Sequence, residues 1–119
     1  MARILLADDE PHMIELLKLI LGSKHTYSEA VDGIAALSSA RKDKPDLIIL
    51  DVMMPKRNGY EVCEMLKNDR RLKSIPVLMI SAKAEERDII EGLRLGADAY
   101  ITKPFDPRKL EKQVKELLR

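Results

Sequence analysis

Residues 47–59 read Leu47-Ile48-Ile49-Leu50-Asp51-Val52-Met53-Met54-Pro55-Lys56-Arg57-Asn58-Gly59. The opening run is unbroken and apolar, the pattern of a parallel strand covered on both faces. Asp51 stands alone at its end, before a loop carrying Pro55 and Gly59. The runs Ile4-Leu5-Leu6-Ala7 and Val77-Leu78-Met79-Ile80 have the same character and end in Asp8-Asp9 and Ser81. Tyr27-Ser28-Glu29-Ala30 and Ala99-Tyr100-Ile101-Thr102 are of mixed polarity, which suits strands at the sheet edges.

Between the runs the apolar period changes to three and four. Met13, Leu16, Leu17, Ile20 and Leu21 mark a first helix after Pro11, and Ile34, Leu37 and Ala40 a second. Val62, Met65 and Leu66 mark a third begun by Asn58, Ile89, Ile90 and Leu93 a fourth, and Leu110, Val114, Leu117 and Leu118 a fifth. Gly22, Lys44-Pro45, Ser74-Ile75-Pro76 and Gly96 close the helical stretches. Five βα units imply right-handed crossovers and an α/β fold, a three-layer doubly wound parallel sheet.

Composition narrows the function classes. The 119 residues should form a single domain over 1–119, large enough to bury a core without metal or disulfide staples. With 21 Lys and Arg against 20 Asp and Glu, a formal charge of +1, the basic footprint of a nucleic-acid binder is missing. Three Tyr, one Phe and no Trp offer few surfaces for base stacking. The one cysteine, Cys63, cannot form an internal bridge and reads as a small buried hydrophobe. No apolar run approaches membrane-spanning length and no signal h-region is present, so the expected location is cytoplasmic, with no membrane partner.

The chemistry follows from what stands at the strand ends. Ligands bind such sheets outside the carboxyl ends of the strands, near a topological switch point, and in the flavodoxin-like order 2-1-3-4-5 strands one and three meet there. Asp8, Asp9 and Asp51 then converge. Two carboxylates about 4 Å apart repel by roughly 4 kcal/mol at an effective dielectric near 20, about three pKa units, so something positive must offset them. Oxygen ligands with no His or Cys at ligand spacing favour a hard cation, and few protein ligands favour Mg²⁺ over Ca²⁺. Lys103 and Ser81 end two further runs. A cation, an ammonium and a hydroxyl around one carboxylate suit phosphoryl transfer, whose transition state spreads negative charge over oxygens. Asp51 is the expected acceptor, while the paired Asp8 and Asp9 are better placed to hold metal.

These residues resemble the CheY-like receiver domain of two-component response regulators over essentially the whole chain. The marks are LLADDEP with Asp8 and Asp9, LIILDVMMP with Asp51 and Pro55, Asn58-Gly59, ISAK with Ser81, and GADAYITKPF with Tyr100, Lys103, Pro104 and Phe105. The strand order 2-1-3-4-5 belongs to this resemblance rather than to the periodicity. The resemblance implies that Asp51 takes a phosphoryl group from a phosphohistidine of a sensor histidine kinase or phosphotransfer protein. Asp9, Asp51 and the Met53 backbone carbonyl would ligate Mg²⁺, with Asp8 acting through a metal-bound water. Lys103 would pair with Asp51 or its phosphate, Ser81 would bond a phosphate oxygen, and Tyr100 would turn inward as Ser81 moves. The Lys103-Pro104 bond is expected to be cis. The output would be a changed surface for a downstream protein target or output domain. Ser81 stands where threonine is commoner, and Asn58 where aspartate is. Ala99, Lys109 and Gln113 replace members of the charged dimer set of the winged-helix-linked subfamily, which implies a monomer or weak dimer.

Two other classes fit the residues less well. Mg²⁺-dependent phosphatases with an aspartate nucleophile, those resembling haloacid dehalogenases, usually place a second acid two residues after it, and here that position is Met53, so no general acid is ready for the leaving group. A pseudo-receiver would have no need of Asp9, Asp51, Ser81 and Lys103 together. The remaining polar residues read blandly: His12 as an exposed first-turn residue, His25 as part of a polar loop, and the basic last helix as a solvated face. Taken alone, Tyr100 reads as a half-buried edge residue with its hydroxyl in water. A stand-alone receiver and a piece of a longer regulator are both compatible with the residues.

Overall fold

The apolar runs at residues 4–7 and 47–50 lie side by side at the centre of a five-stranded parallel sheet, paired Ile4 to Leu47 through Ala7 to Leu50. In the computed structural model, which describes residues 1–119, the elements in chain order are β1 (Arg3–Ala7), α1 (Pro11–Leu21), β2 (Thr26–Ala30), α2 (Gly33–Asp43), β3 (Leu47–Leu50), α3 (Gly59–Lys67), β4 (Val77–Ser81), α4 (Glu86–Arg94), β5 (Ala99–Thr102) and α5 (Pro107–Leu117). The strand order is β2-β1-β3-β4-β5, with the two polar runs at the edges.

Every side chain of β3 is buried, which explains the absence of alternation: both faces of the sheet are covered. Successive residues feed opposite cores. Leu5, Ala7, Ile48 and Leu50 pack with Leu37, Val62, Cys63 and Leu66 of α2 and α3. Ile4, Leu6, Leu47 and Ile49 pack with Ile14, Leu17, Leu110 and Val114 of α1 and α5. This alternation is the period-two geometry of a strand, hidden in the sequence because both of its environments are apolar.

The helices lie where the period placed them, but the buried faces differ in detail. Leu16 in α1, Ile34 in α2, and Ile90 and Leu93 in α4 are exposed, whereas Ile14, Ala36 and Cys63 are buried. In a short helix one shifted position turns the stripe by about 100°, so spacing alone does not distinguish adjacent faces. The third helix also stops earlier than Ser74. It ends at Lys67, and the Asp69 side chain then accepts the Arg71 N–H while the Asp69 carbonyl accepts the Leu72 and Lys73 N–H groups. Local side-chain capture of the backbone has replaced the next helical turn there. Asn58 caps α3 as expected: it accepts from the Glu61 N–H while Glu61 returns a bond to the Asn58 N–H. His25 sits in the loop before β2, as expected, and its Nδ1 accepts the Ala2 N–H at 3.0 Å.

Candidate functional site

The ladder of the sheet continues one residue past the strands and so fixes the functional positions. The Asp8 N–H donates to the Ala30 carbonyl, the Asp51 N–H to the Ala7 carbonyl and the Lys103 N–H to the Ser81 carbonyl, all at 2.9–3.0 Å. Asp8, Asp51 and Lys103 thereby stand on backbone that extends the strand ladder, with Ser81 as the last residue of β4. The Lys103-Pro104 peptide is cis, as expected.

Asp8, Asp51 and Ser81 are the buried polar and charged residues of the chain. Lys103 Nζ lies 3.0 Å from Asp8 Oδ2, 3.2 Å from Asp51 Oδ2 and 3.7 Å from Glu10 Oε1. The ammonium thus bridges the ends of β1 and β3. Burial pushes the Asp8 carboxyl above its ordinary range; the Asp51 charge adds to this, and the Glu10 N–H and Lys103 pull against it. Burial works to lower the Lys103 ammonium, but the hydrogen bond to Asp8 and the charges of Asp51 and Asp8 outweigh it and raise the value. A strongly held ammonium beside a reluctant carboxylate is what a site short of positive charge produces.

One ligand oxygen from each of Asp8, Asp9, Glu10 and Asp51 can lie within 4.8 Å of the others. Four carboxylates gather here, three of them paired with the one ammonium, and the donor set is all oxygen, which fits a hard divalent cation. A cleft of about 350 Å³ above them is lined by Asp9, Glu10, Asp51, Met53, Ala82 and Lys103. The Met53 N–H donates to Asp51 Oδ1 at 3.2 Å, and the residue is exposed where it lines the cleft. Met54, by contrast, is buried in the core. Glu10 was missed in the sequence, although it directly follows the acidic pair. The signal available was the run of three acids before Pro11.

Ser81 is fully buried, and its Oγ accepts the Lys83 N–H at 3.2 Å. The Lys83 carbonyl in turn accepts the Tyr100 hydroxyl at 2.7 Å. That hydroxyl is therefore engaged with the backbone and not free in water. Lys83 joins Ser81 to Tyr100 through its peptide groups, and side-chain type gives no signal for such a role. Cys63 is buried, donates to the Leu95 carbonyl at 3.7 Å, and has its thiol pushed up to about 11 by burial, all in keeping with a packing residue.

A family model described as the response regulator receiver domain matches residues 4–115. The chain is 48% identical over 118 residues to the alkaline phosphatase synthesis transcriptional regulatory protein PhoP of Bacillus subtilis, covering 98% of this chain and 48% of that protein. It spans about half the length of the curated relatives it matches. Among solved structures, a response regulator from Chloroflexus aurantiacus superposes with a TM-score of 0.93 at 34% identity, covering 98% and 97% of the two chains. The chemotaxis response regulator CheY4 of Vibrio cholerae gives 0.91 at 31% identity, with 99% of each chain covered. Phosphorylation on aspartate and Mg²⁺ binding are general to this family, whose members are signalling switches. The flavodoxin-like sheet, the acidic cleft at its carboxyl edge and these matches lead to one assignment: the chain belongs to the receiver domains of two-component response regulators.

Proposed function

We propose that residues 1–119 are a single receiver domain in which Asp51 accepts a phosphoryl group from a phosphohistidine of a sensor histidine kinase or phosphotransfer protein. The observation that carries this is the Asp51 carboxylate, buried at the end of a central strand yet lining the cleft, 3.2 Å from Lys103 Nζ. In the transfer, the bond between phosphorus and the donor imidazole nitrogen breaks as a bond to an Asp51 carboxylate oxygen forms. The imidazole leaves with the electron pair. Lys103 neutralises charge on the transferring group, and Ser81 Oγ turns from the Lys83 N–H to a phosphoryl oxygen. Asp8, Asp9, Asp51 and the Met53 carbonyl would hold Mg²⁺, which supplies charge neutralisation when bound. Hydrolysis of the acyl phosphate by water, with the Asp51 carboxylate leaving, resets the domain slowly and makes it a self-resetting switch rather than a turnover enzyme.

Once Ser81 gives up the Lys83 N–H, the segment that Tyr100 holds through the Lys83 carbonyl is free to shift, giving a state-dependent surface for a downstream target or output domain. A cytoplasmic setting suits a kinase donor. The test is intact mass spectrometry after incubation with Mg²⁺ and a small acyl phosphate, for the wild type and Asp51→Ala. The wild type should gain one phosphoryl group and the variant none. Equal uptake by both, or none by the wild type, removes Asp51 from the role. Sustained turnover of phosphate monoesters would mark a hydrolase instead.

A further inference from the structure

Tyr60 is the second residue of α3 and takes no part in the cleft, yet its hydroxyl donates to the Asp88 carbonyl of α4 at 2.9 Å. The residue before it is pressed onto the phosphoacceptor's own backbone. The Gly59 N–H donates to the Val52 carbonyl at 2.7 Å, and a Cβ on Gly59 would stand 2.2 Å from the Asp51 carbonyl oxygen. Any shift of the Asp51-Val52 peptide is therefore delivered to Gly59 and to its neighbour Tyr60 without an intervening side chain. At the other end, α4 has little to resist it: Gly92 is its one buried residue.

We infer that Tyr60 is a positioning residue that couples Asp51 to α4 by a second route, from the acceptor's backbone through Gly59 and the Tyr60 hydroxyl to Asp88. This rests on the proposed roles of Asp51, Ser81 and Tyr100. The two routes converge. One runs from Ser81 Oγ through the Lys83 peptide to Tyr100, the other through Tyr60 to Asp88, whose side chain also accepts from the Glu85 N–H and pairs with Lys83 Nζ at 3.8 Å. Both thus grip residues 83–88, the approach to α4 and its first turn. Burial, and after it the adjoining Tyr100, pushes the Tyr60 phenol well above its ordinary range, so it remains a donor at any physiological pH.

The test is amide exchange at Asp88 and Ile89, whose N–H groups both donate to the Glu85 carbonyl, with and without Mg²⁺ and beryllofluoride as a stable phosphoryl mimic. Tyr60→Phe keeps the ring in the core and removes only the hydroxyl. The variant should exchange about 5-fold faster at these amides without the mimic, the effect of one ordinary hydrogen bond. The ratio of exchange rates between the two states should fall by roughly twofold or more from the wild-type ratio. Uptake of phosphoryl groups from an acyl phosphate should be unchanged. A purely structural role would speed exchange equally in both states, and an unchanged ratio overturns the inference while leaving Asp51 as acceptor. Altered uptake also overturns it, by placing Tyr60 in the transfer step. No uptake by the wild type would instead remove the reading of Asp51, and this route with it.

Discussion

Helices α3 and α4 are both nine residues long, α3 opened by a full capping box and α4 by the Glu85 N–H on the Asp88 side chain, yet they are attached to the protein in different ways. Helix α3 buries Gly59, Val62, Cys63 and Leu66 against the sheet, while α4 buries Gly92 alone and leaves Ile90 and Leu93 in water. Beside the packing of Gly92 near Met79 and Tyr100, two polar contacts hold α4: the Tyr60 hydroxyl on the Asp88 carbonyl near its start and the Cys63 thiol on the Leu95 carbonyl at its end. The magnitudes explain the consequence. A buried aliphatic side chain contributes about 1.5–3 kcal/mol and an ordinary hydrogen bond about 0.5–1.5 kcal/mol. By these magnitudes α4, with one buried residue, is held less firmly than α3, with four. Burial makes α3 the firmer support behind the loop that follows Asp51 and leaves α4 the more weakly attached neighbour.

The sharpest way to break this comparison is truncation on the two helices. Leu66→Ala should cost about 2–5 kcal/mol of unfolding free energy, whereas Leu93→Ala should stay within about 0.5 kcal/mol. Similar urea midpoints for the two variants would mean that α4 is as firmly packed as α3. The glycines make a second contrast. A Cβ at Gly59 meets backbone, 2.2 Å from the Asp51 carbonyl oxygen, and Gly59→Ala should cost about 3 kcal/mol and slow phosphoryl uptake. At Gly92 the Cβ meets movable side chains, Met79 Sδ at 2.8 Å and Tyr100 Cδ2 at 2.9 Å. The helix-propensity gain of about 1 kcal/mol then offsets much of the strain, and Gly92→Ala should show itself mainly as a displaced Tyr100 in near-ultraviolet circular dichroism.

Asn58→Ala removes the cap of α3 and should cost about 1 kcal/mol, read as a shift in the urea midpoint with an unchanged slope. The last contrast concerns Cys63 and shows itself only at alkaline pH. Its thiol is pushed up to about 11 in the fold, so the native state keeps the proton after the unfolded chain has released it. Stability from the neutral thiol is complete below about pH 9, the ordinary range for a free thiol, and is lost as pH rises toward the folded value. Between pH 8 and pH 10.5 the wild type should therefore lose stability faster than Cys63→Ala. Parallel losses would mean that the thiol beneath α4 is open to water.

Much of this was legible in the order of residues. The runs at 4–7, 47–50 and 77–80 are strands, since so short and unbroken an apolar stretch suits a doubly covered sheet, and Asn58 announced the start of α3. The convergence of Asp8, Asp51, Ser81 and Lys103 followed once each was seen to end a strand. Less legible was which face each helix buries. Leu16, Ile34 and Leu93 have the right chemistry for a core and the right spacing, but a hydrophobic residue in a short amphipathic helix carries no mark of whether a sheet or water faces it. Glu10 could have been read from its place after Asp8-Asp9. Lys83 and Tyr60 could not, because they act through peptide groups and a single hydroxyl brought near by packing.

The sequence by itself determined the alternation of strands and helices, the edge and central strands, and the identity of the groups at the sheet's carboxyl edge. These depend on local period and on which residue ends each run, and both are written in linear order. Only the tertiary structure decided that Lys103 bridges Asp8 and Asp51, that Glu10 joins the acidic cluster, and that α4 rests on Gly92 and a few hydrogen bonds. Distances between residues far apart in the chain are set by how strands register and how closely helices can approach. That approach turns on contacts such as Gly59 against the Asp51 carbonyl, which no pattern within either segment foretells.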